Sequence, residues 1–134
     1  MLESPLAKKL KLRSGMEAAV INAPENYVDE LRHDTALSPT LNGKFEWIQI
    51  FVQTQSEIEA LAPQVVKALK PESILWISFP KGASKIQTDL TRDKGWDSLR
   101  DLDLKWINLV SVNNTWSAFS LRPYKEGEKK QSFR

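Results

Sequence analysis

Three short runs of nearly unbroken apolar, β-prone residues constrain this chain more than any other feature. Glu17-Ala18-Ala19-Val20-Ile21-Asn22, Phe45-Glu46-Trp47-Ile48-Gln49-Ile50-Phe51-Val52 and Ile74-Leu75-Trp76-Ile77-Ser78-Phe79 are too apolar for strands with one wet face. Each reads as a strand covered on both sides. Between the second and third runs, Ile58, Leu61, Val65, Ala68 and Leu69 recur at helical spacing, which predicts a helix crossing from one strand to the next. Covered strands joined by helices form a mostly parallel sheet with right-handed crossovers.

The remaining segments extend this order. Ser4-Pro5 combines a capping serine with a proline at the first helical position and predicts a short helix to about Leu10, before a turn at Ser14-Gly15. Pro24 stops the first strand, and Tyr27, Val28 and Leu31 share a helical face through about Arg32. Residues 33–44 contain the turn signals Ser38-Pro39 and Asn42-Gly43, which leave a brief edge strand and a plain loop both open. Ser56-Glu57-Ile58-Glu59 fits a capping box, Pro63 predicts a kink or a delayed helix start, and Lys70-Pro71-Glu72-Ser73 is expected to close that helix. After Pro80 and a loop, a helix turning Trp96, Leu99 and Leu102 inward leads to a strand over residues 105–112. Asn113-Asn114 can supply the left-handed conformations of a tight turn, so residues 115–122 should return antiparallel. The expected fold is α/β: a three-layer, Rossmann-like, mostly parallel sheet closed by a C-terminal antiparallel hairpin. It occupies one domain over residues 1–134, with a short helix and turn in 1–15 and a polar, flexible tail in 123–134.

Composition narrows the function classes. A net charge of +2 is too small for the electrostatic footprint of phosphate-backbone binding, so nucleic acid is not an expected partner. The basic cluster Lys8, Lys9, Lys11 and Arg13 reads as the solvated face of the first helix. The absence of cysteine excludes a disulfide framework and a thiolate nucleophile, and fits the reducing cytoplasm. No apolar run approaches the ~18 residues of a membrane span, so no membrane association is expected.

Chemical motifs are sparse. Gly15, Gly43, Gly82, Gly95 and Gly127 never share a loop, so neither a dinucleotide fingerprint nor a P-loop is present. His33 is the sole histidine and reads as an ordinary loop residue. No metal and no cofactor are expected. The best candidate site follows from location, because ligands of open doubly wound sheets sit beyond the carboxyl ends of the strands. That places Lys81, Ser84, Thr88, Asp89 and Arg92 of the polar loop after Pro80 near Asn22, Glu25 and residues 53–56. Thr115, Trp116 and Ser117 form a second candidate wall, an indole beside two hydroxyls. The alternative is that Ser84, Thr88 and Asp89 only cap turns while Trp116 anchors the core.

Leu12-Arg13-Ser14-Gly15, Asn22-Ala23-Pro24-Glu25, Leu75-Trp76-Ile77-Ser78-Phe79-Pro80-Lys81, Thr88-Asp89-Leu90-Thr91 and Thr115-Trp116-Ser117 resemble, in this order, the signature stretches of the bacterial domain-of-unknown-function family 3052. That resemblance spans residues 12–122 and implies no activity, since the family has none assigned. Phe45-Glu46-Trp47-Ile48 is also similar to the fourth strand of S-adenosylmethionine-dependent methyltransferases, and Ala68-Leu69-Lys70-Pro71 to the approach to their fifth. Here the glycine-rich loop after the first strand is replaced by Asn22-Ala23-Pro24-Glu25-Asn26, and Gly-Gly after Lys70-Pro71 by Glu72-Ser73. The resemblance implies a reduced relative of that fold. The leading expectation is a non-catalytic module that binds a small molecule or a protein partner. The alternatives are an enzyme using Lys81 or Asp89 on an anionic metabolite, a degenerate methyltransferase-like protein, or a structural subunit.

Overall fold

A computed structural model of the chain describes residues 5–31, 36–100 and 102–130. Ser4, Arg32 and His33 lie outside the described residues, as does the end of the tail from residue 131. The elements are α1 (Pro5–Lys9), β1 (Ala18–Ile21), α2 (Tyr27–Leu31), β2 (Leu37–Ser38), β3 (Phe45–Phe51), α3 (Gln55–Ala68), β4 (Leu69–Pro80), α4 (Asp97–Arg100), β5 (Leu104–Ser111) and β6 (Trp116–Pro123). The strands form one sheet in the order β2-β1-β3-β4-β6-β5. β2, β1, β3 and β4 run parallel, while β6 is antiparallel to both β4 and β5 and inserts between them.

The apolar runs form this sheet because alternate residues feed different cores. Ala19, Ile21, Ile48, Ile50, Leu75, Ile77 and Phe79 meet Ile58, Ala62 and Val65 of α3 on one face, together with Trp96 and Leu99. Ala18, Val20, Trp47, Phe51, Trp76 and Trp116 meet Ala7 and Leu10 at α1, and Tyr27 and Leu31 of α2, on the other. Every residue of β1 is buried, as expected of a strand covered on both sides. Both faces being covered, the architecture is the three-layer α/β sheet read from the sequence, and β2 supplies the brief edge strand in residues 33–44.

Two polar devices hold the α1/α2 layer. The C=O of Leu10, just past the end of α1, accepts the indole N–H of Trp47 at 2.7 Å and that of Trp76 at 2.8 Å. The Tyr27 hydroxyl donates to Gln49 Oε1 at 2.7 Å, and Gln49 Nε2 donates to Ser78 Oγ at 2.9 Å, all three residues being fully buried.

Three local expectations are corrected. The capping box lies two residues earlier than its best sequence match. Thr54 Oγ1 accepts from the Glu57 N–H, and Glu57 Oε1 accepts from the Thr54 N–H, so the helix starts at Gln55 and contains Pro63. Thr54 takes the cap because it still holds the extended conformation of an N-cap, three residues past the end of β3, whereas Ser56 is already helical. Second, β4 begins at Leu69 rather than Ile74. Residues 70–73 form an excursion between the Phe45–Leu69 and Trp47–Ile74 pairs, closed by Ser73 Oγ, which accepts from the Lys70 N–H and donates to the Phe45 C=O. Third, Asn113 and Asn114 are not left-handed; the turn is held instead by Asn113 Oδ1, which accepts the N–H groups of Thr115 and Trp116, both at 2.9 Å.

Beyond β6, residues as far as 130 are fastened to the sheet. Glu128 accepts from Arg122 at 2.7 Å, from Lys105 at 2.8 Å and from the Lys125 N–H at 2.9 Å. The Arg122 hydrogen bond, then that of Lys105, hold the Glu128 carboxyl well below the usual carboxylate range. A carboxyl depressed in the folded state contributes its stabilisation above its unfolded pKa, about 4.3 for Glu, and loses it as pH falls through the folded value. Amide exchange at Lys125 and Glu128, whose N–H groups close this turn, is therefore expected to be slowed at neutral pH and to lose protection as pH drops below about 4.3, relative to the change in intrinsic exchange. Glu128→Gln should remove that protection at every pH. Protection independent of both would contradict the assignment.

Candidate ligand-binding cleft

The carboxyl ends of β3 and β4 open into a cleft of about 850 Å³ lined by Gln53, Thr54, Lys81, Gly82 and residues 86–91. Its wall is the loop that leaves β4. The Lys81 N–H donates to the Thr115 C=O at 2.8 Å, tying the loop to the β5–β6 hairpin. Ser84 turns back, its N–H and Oγ both donating to the Lys81 C=O. Across the cleft, Thr88 Oγ1 donates to the Gln53 C=O at 2.5 Å and accepts the Leu90 N–H at 3.0 Å. Asp89 Oδ1 accepts the Gln55 N–H at 2.9 Å, satisfying a donor at the start of α3 where a negative charge is favoured.

The far end of the loop is fixed from below. Leu90 and Trp96 are buried against the α3 face, and the Trp96 indole N–H donates to the Thr91 C=O at 2.7 Å. Gly95 permits this fold at φ +105°, where a Cβ would stand 2.5 Å from Leu90 Cδ2. The cleft is therefore framed by hydrogen bonds at both ends, with the Asp89 carboxylate bound to the start of α3 and the Lys81 ammonium bound to Ser111 at the end of β5.

Of the residues singled out from the sequence, Lys81, Thr88 and Asp89 line this cleft. Ser84 and Thr115 support it through Lys81. Arg92 points away into an exposed pair with Asp93 at 3.2 Å, and that hydrogen bond raises its pKa. Trp116 is buried on the α1/α2 face, edge-on to Phe51 at 5.0 Å, and so forms core rather than cleft wall. Ser117 stands in register between Phe79 and Ser111. Asn22 and Glu25 lie exposed at the end of β1 and are not among the residues lining the cleft.

Sequence reading missed Lys9 and Ser111. Lys9 Nζ donates to the Ser111 C=O at 2.6 Å, while Lys81 Nζ donates to Ser111 Oγ at 2.5 Å. No local signal marks this meeting, since it joins α1, the loop after β4 and the end of β5. Among the described residues no group of three His, Asp or Glu side chains is placed to hold a metal ion, and no helix is long and apolar enough to cross a membrane.

No protein-family model matches the chain, and no curated protein matches it in sequence. Solved structures do match in shape. A ribosomal protein methylase from Lactobacillus delbrueckii subsp. bulgaricus aligns with a TM-score of 0.55 at 12% identity, over 89% of this chain and 76% of that one. A didemethyltoxoflavin N-methyltransferase from Burkholderia thailandensis, bound to S-adenosylhomocysteine, aligns with 0.58 at 11% identity, over 90% and 77%. A tRNA methyltransferase from B. subtilis aligns with 0.54 at 9% identity, over 92% and 67%. The chain has a methyltransferase-like Rossmann fold.

Proposed function

We propose that this chain is a reduced methyltransferase-fold protein that binds a small anionic molecule in the cleft beyond β3 and β4 and transfers no methyl group. The carrying observation is the framed cleft itself, in which one cation and one carboxylate stand at opposite ends of a preformed polar loop. Such concave sites with a few convergent polar groups are the usual form of small-molecule sites.

The residues around β1 decide whether the methyl donor fits. The chain passes from β1 to β2 on one side and to β3 on the other, so the topological switch point lies between β1 and β3. The loop there, Asn22-Ala23-Pro24-Glu25-Asn26, has no glycine, and Pro24 offers no N–H. Asn22 and Asn26 adopt the left-handed backbone, at φ 60° and 67°, while keeping the Cβ that close approach to a nucleotide dispenses with. The exit from β2, Pro39-Thr40-Leu41-Asn42, carries no carboxylate for a ribose hydroxyl. These residues do not fit an adenosine-bearing cofactor, and no catalytic step is assigned to one.

The resemblance to family 3052 belongs to the same proposal, because three of its motifs converge here. Pro80-Lys81 and Thr88-Asp89-Leu90-Thr91 reach the cleft, and Thr115 accepts the Lys81 N–H. The cytoplasm is the compartment this reading assumes.

Charge reversal tests it. Lys81→Glu is expected to weaken an anionic ligand by more than tenfold, at least ~1.4 kcal/mol, while the urea midpoint moves by no more than a surface substitution, ~0.5 kcal/mol. Unchanged affinity would overturn the site, and a large stability loss would assign Lys81 a structural role.

A further inference from the structure

The ammonium groups of Lys9 and Lys81 come from different elements yet both rest on Ser111, one on its carbonyl and one on its hydroxyl. Neither has a carboxylate partner among the described residues, although the chain carries seventeen acidic side chains. Lys70 is neutralised by Glu17, Lys105 and Arg122 by Glu128, and Lys130 by Asp103, and what sets Lys9 and Lys81 apart from the other lysines is that both converge on one residue. Two like charges on one residue repel each other, and an anion placed between them removes that repulsion. The Ser111 hydroxyl adds a hydrogen-bonding group that can turn toward an oxyanion.

The position is also held from behind. Lys9 ends α1, whose following carbonyl at Leu10 is gripped by two indoles. Lys81 is fixed through its N–H to Thr115. Both stems are therefore anchored within a residue or two of their charged groups, which lowers the entropy lost on binding. A fixed pair of point charges suits a compact, multiply charged group better than a single carboxylate.

We infer that Lys9, Lys81 and Ser111 form an oxyanion clamp that adjoins the cleft through Lys81, with Lys9 and Ser111 just beyond its lining residues, and that the ligand carries a phosphoryl group there. This rests on the cleft being a ligand site and adds the class of ligand. It also gives α1 a part in binding, since α1 brings Lys9.

The test is an amide NMR titration of the full chain with sodium pyrophosphate, and separately with inorganic phosphate, at constant ionic strength. Shifts concentrated at Lys9, Lys81, Ser111 and their chain neighbours are expected. Lys9→Ala and Lys81→Ala should each weaken pyrophosphate at least tenfold, whereas Lys85→Ala should not, and each variant's spectrum reports that it is folded. Shifts confined to residues 53–57 at the α3 end would overturn the clamp while leaving the cleft as a ligand site. Absence of any shift, or binding that survives loss of either lysine, also overturns the clamp. The cleft reading fails separately, if no small molecule binds there at all.

Discussion

Replacing both Trp47 and Trp76 with phenylalanine is expected to destabilise the fold by more than the two single substitutions together. Each indole donates to the same buried Leu10 carbonyl. A single Trp→Phe change removes one hydrogen bond, about 1 kcal/mol net, but leaves the carbonyl served by the other indole. The double change leaves it with neither donor, and an unsatisfied buried acceptor costs about 1–3 kcal/mol beyond the bonds themselves. A double-mutant cycle in urea should therefore show a coupling of about 1–2 kcal/mol. The lost structure is specific: α1 has Ala7 and the adjacent Leu10 and Leu12 fully buried, and this carbonyl is the buried polar tie between its end and the sheet, beside the exposed bond from Lys9 to Ser111. Strict additivity would mean that the carbonyl finds another partner and that α1 is docked without these two bonds.

Gln49→Leu should also be damaging, by about 2–4 kcal/mol, because it removes two buried hydrogen bonds at once and puts an apolar side chain against two buried hydroxyls. Tyr27 loses its acceptor and Ser78 loses its donor. The contrast is the triple variant Tyr27→Phe, Gln49→Leu, Ser78→Ala, which removes every member of this chain of bonds together. It is expected to recover most of the loss, since apolar groups of similar shape replace a satisfied network at little cost. If Gln49→Leu alone is neutral in chemical denaturation, the network does not hold α2. The consequence reaches the site end of the sheet, because Tyr27 opens α2 directly after the Asn22–Asn26 turn and fixes where that turn lies.

These devices also mark where sequence reading stops. The strands were evident because covered strands must be apolar throughout, and α3 because its apolar residues keep helical spacing over several turns. The insertion of β6 between β4 and β5 left no trace in spacing, since an antiparallel hairpin can pack by either strand. Glutamine in β3 and serine in β4 looked like interruptions of apolar runs, and their meaning depends on Tyr27, distant in sequence. The capping box was displaced because two overlapping matches exist and only the end of β3 chooses between them. At the cleft, Lys81, Thr88 and Asp89 could be named because they follow a strand's carboxyl end. Trp116 could not be assigned, since its face depends on the phase of β6. In sequence Lys9 is one charge of a solvated helix face, and only the third dimension sets it beside Lys81.

The most direct measurement of the central claim is a thermal-shift panel with S-adenosylmethionine, its demethylated product, nucleotides and common phosphorylated metabolites, run on the chain and on Lys81→Glu. A ligand at a hundred times its dissociation constant adds about 2.7 kcal/mol, on the order of several degrees for a domain of this size. The expected result is a rise with at least one anionic compound, absent in Lys81→Glu, and none with the methyl donor. A rise with the methyl donor that persists in Lys81→Glu would contradict the account and return the site to the end of β1.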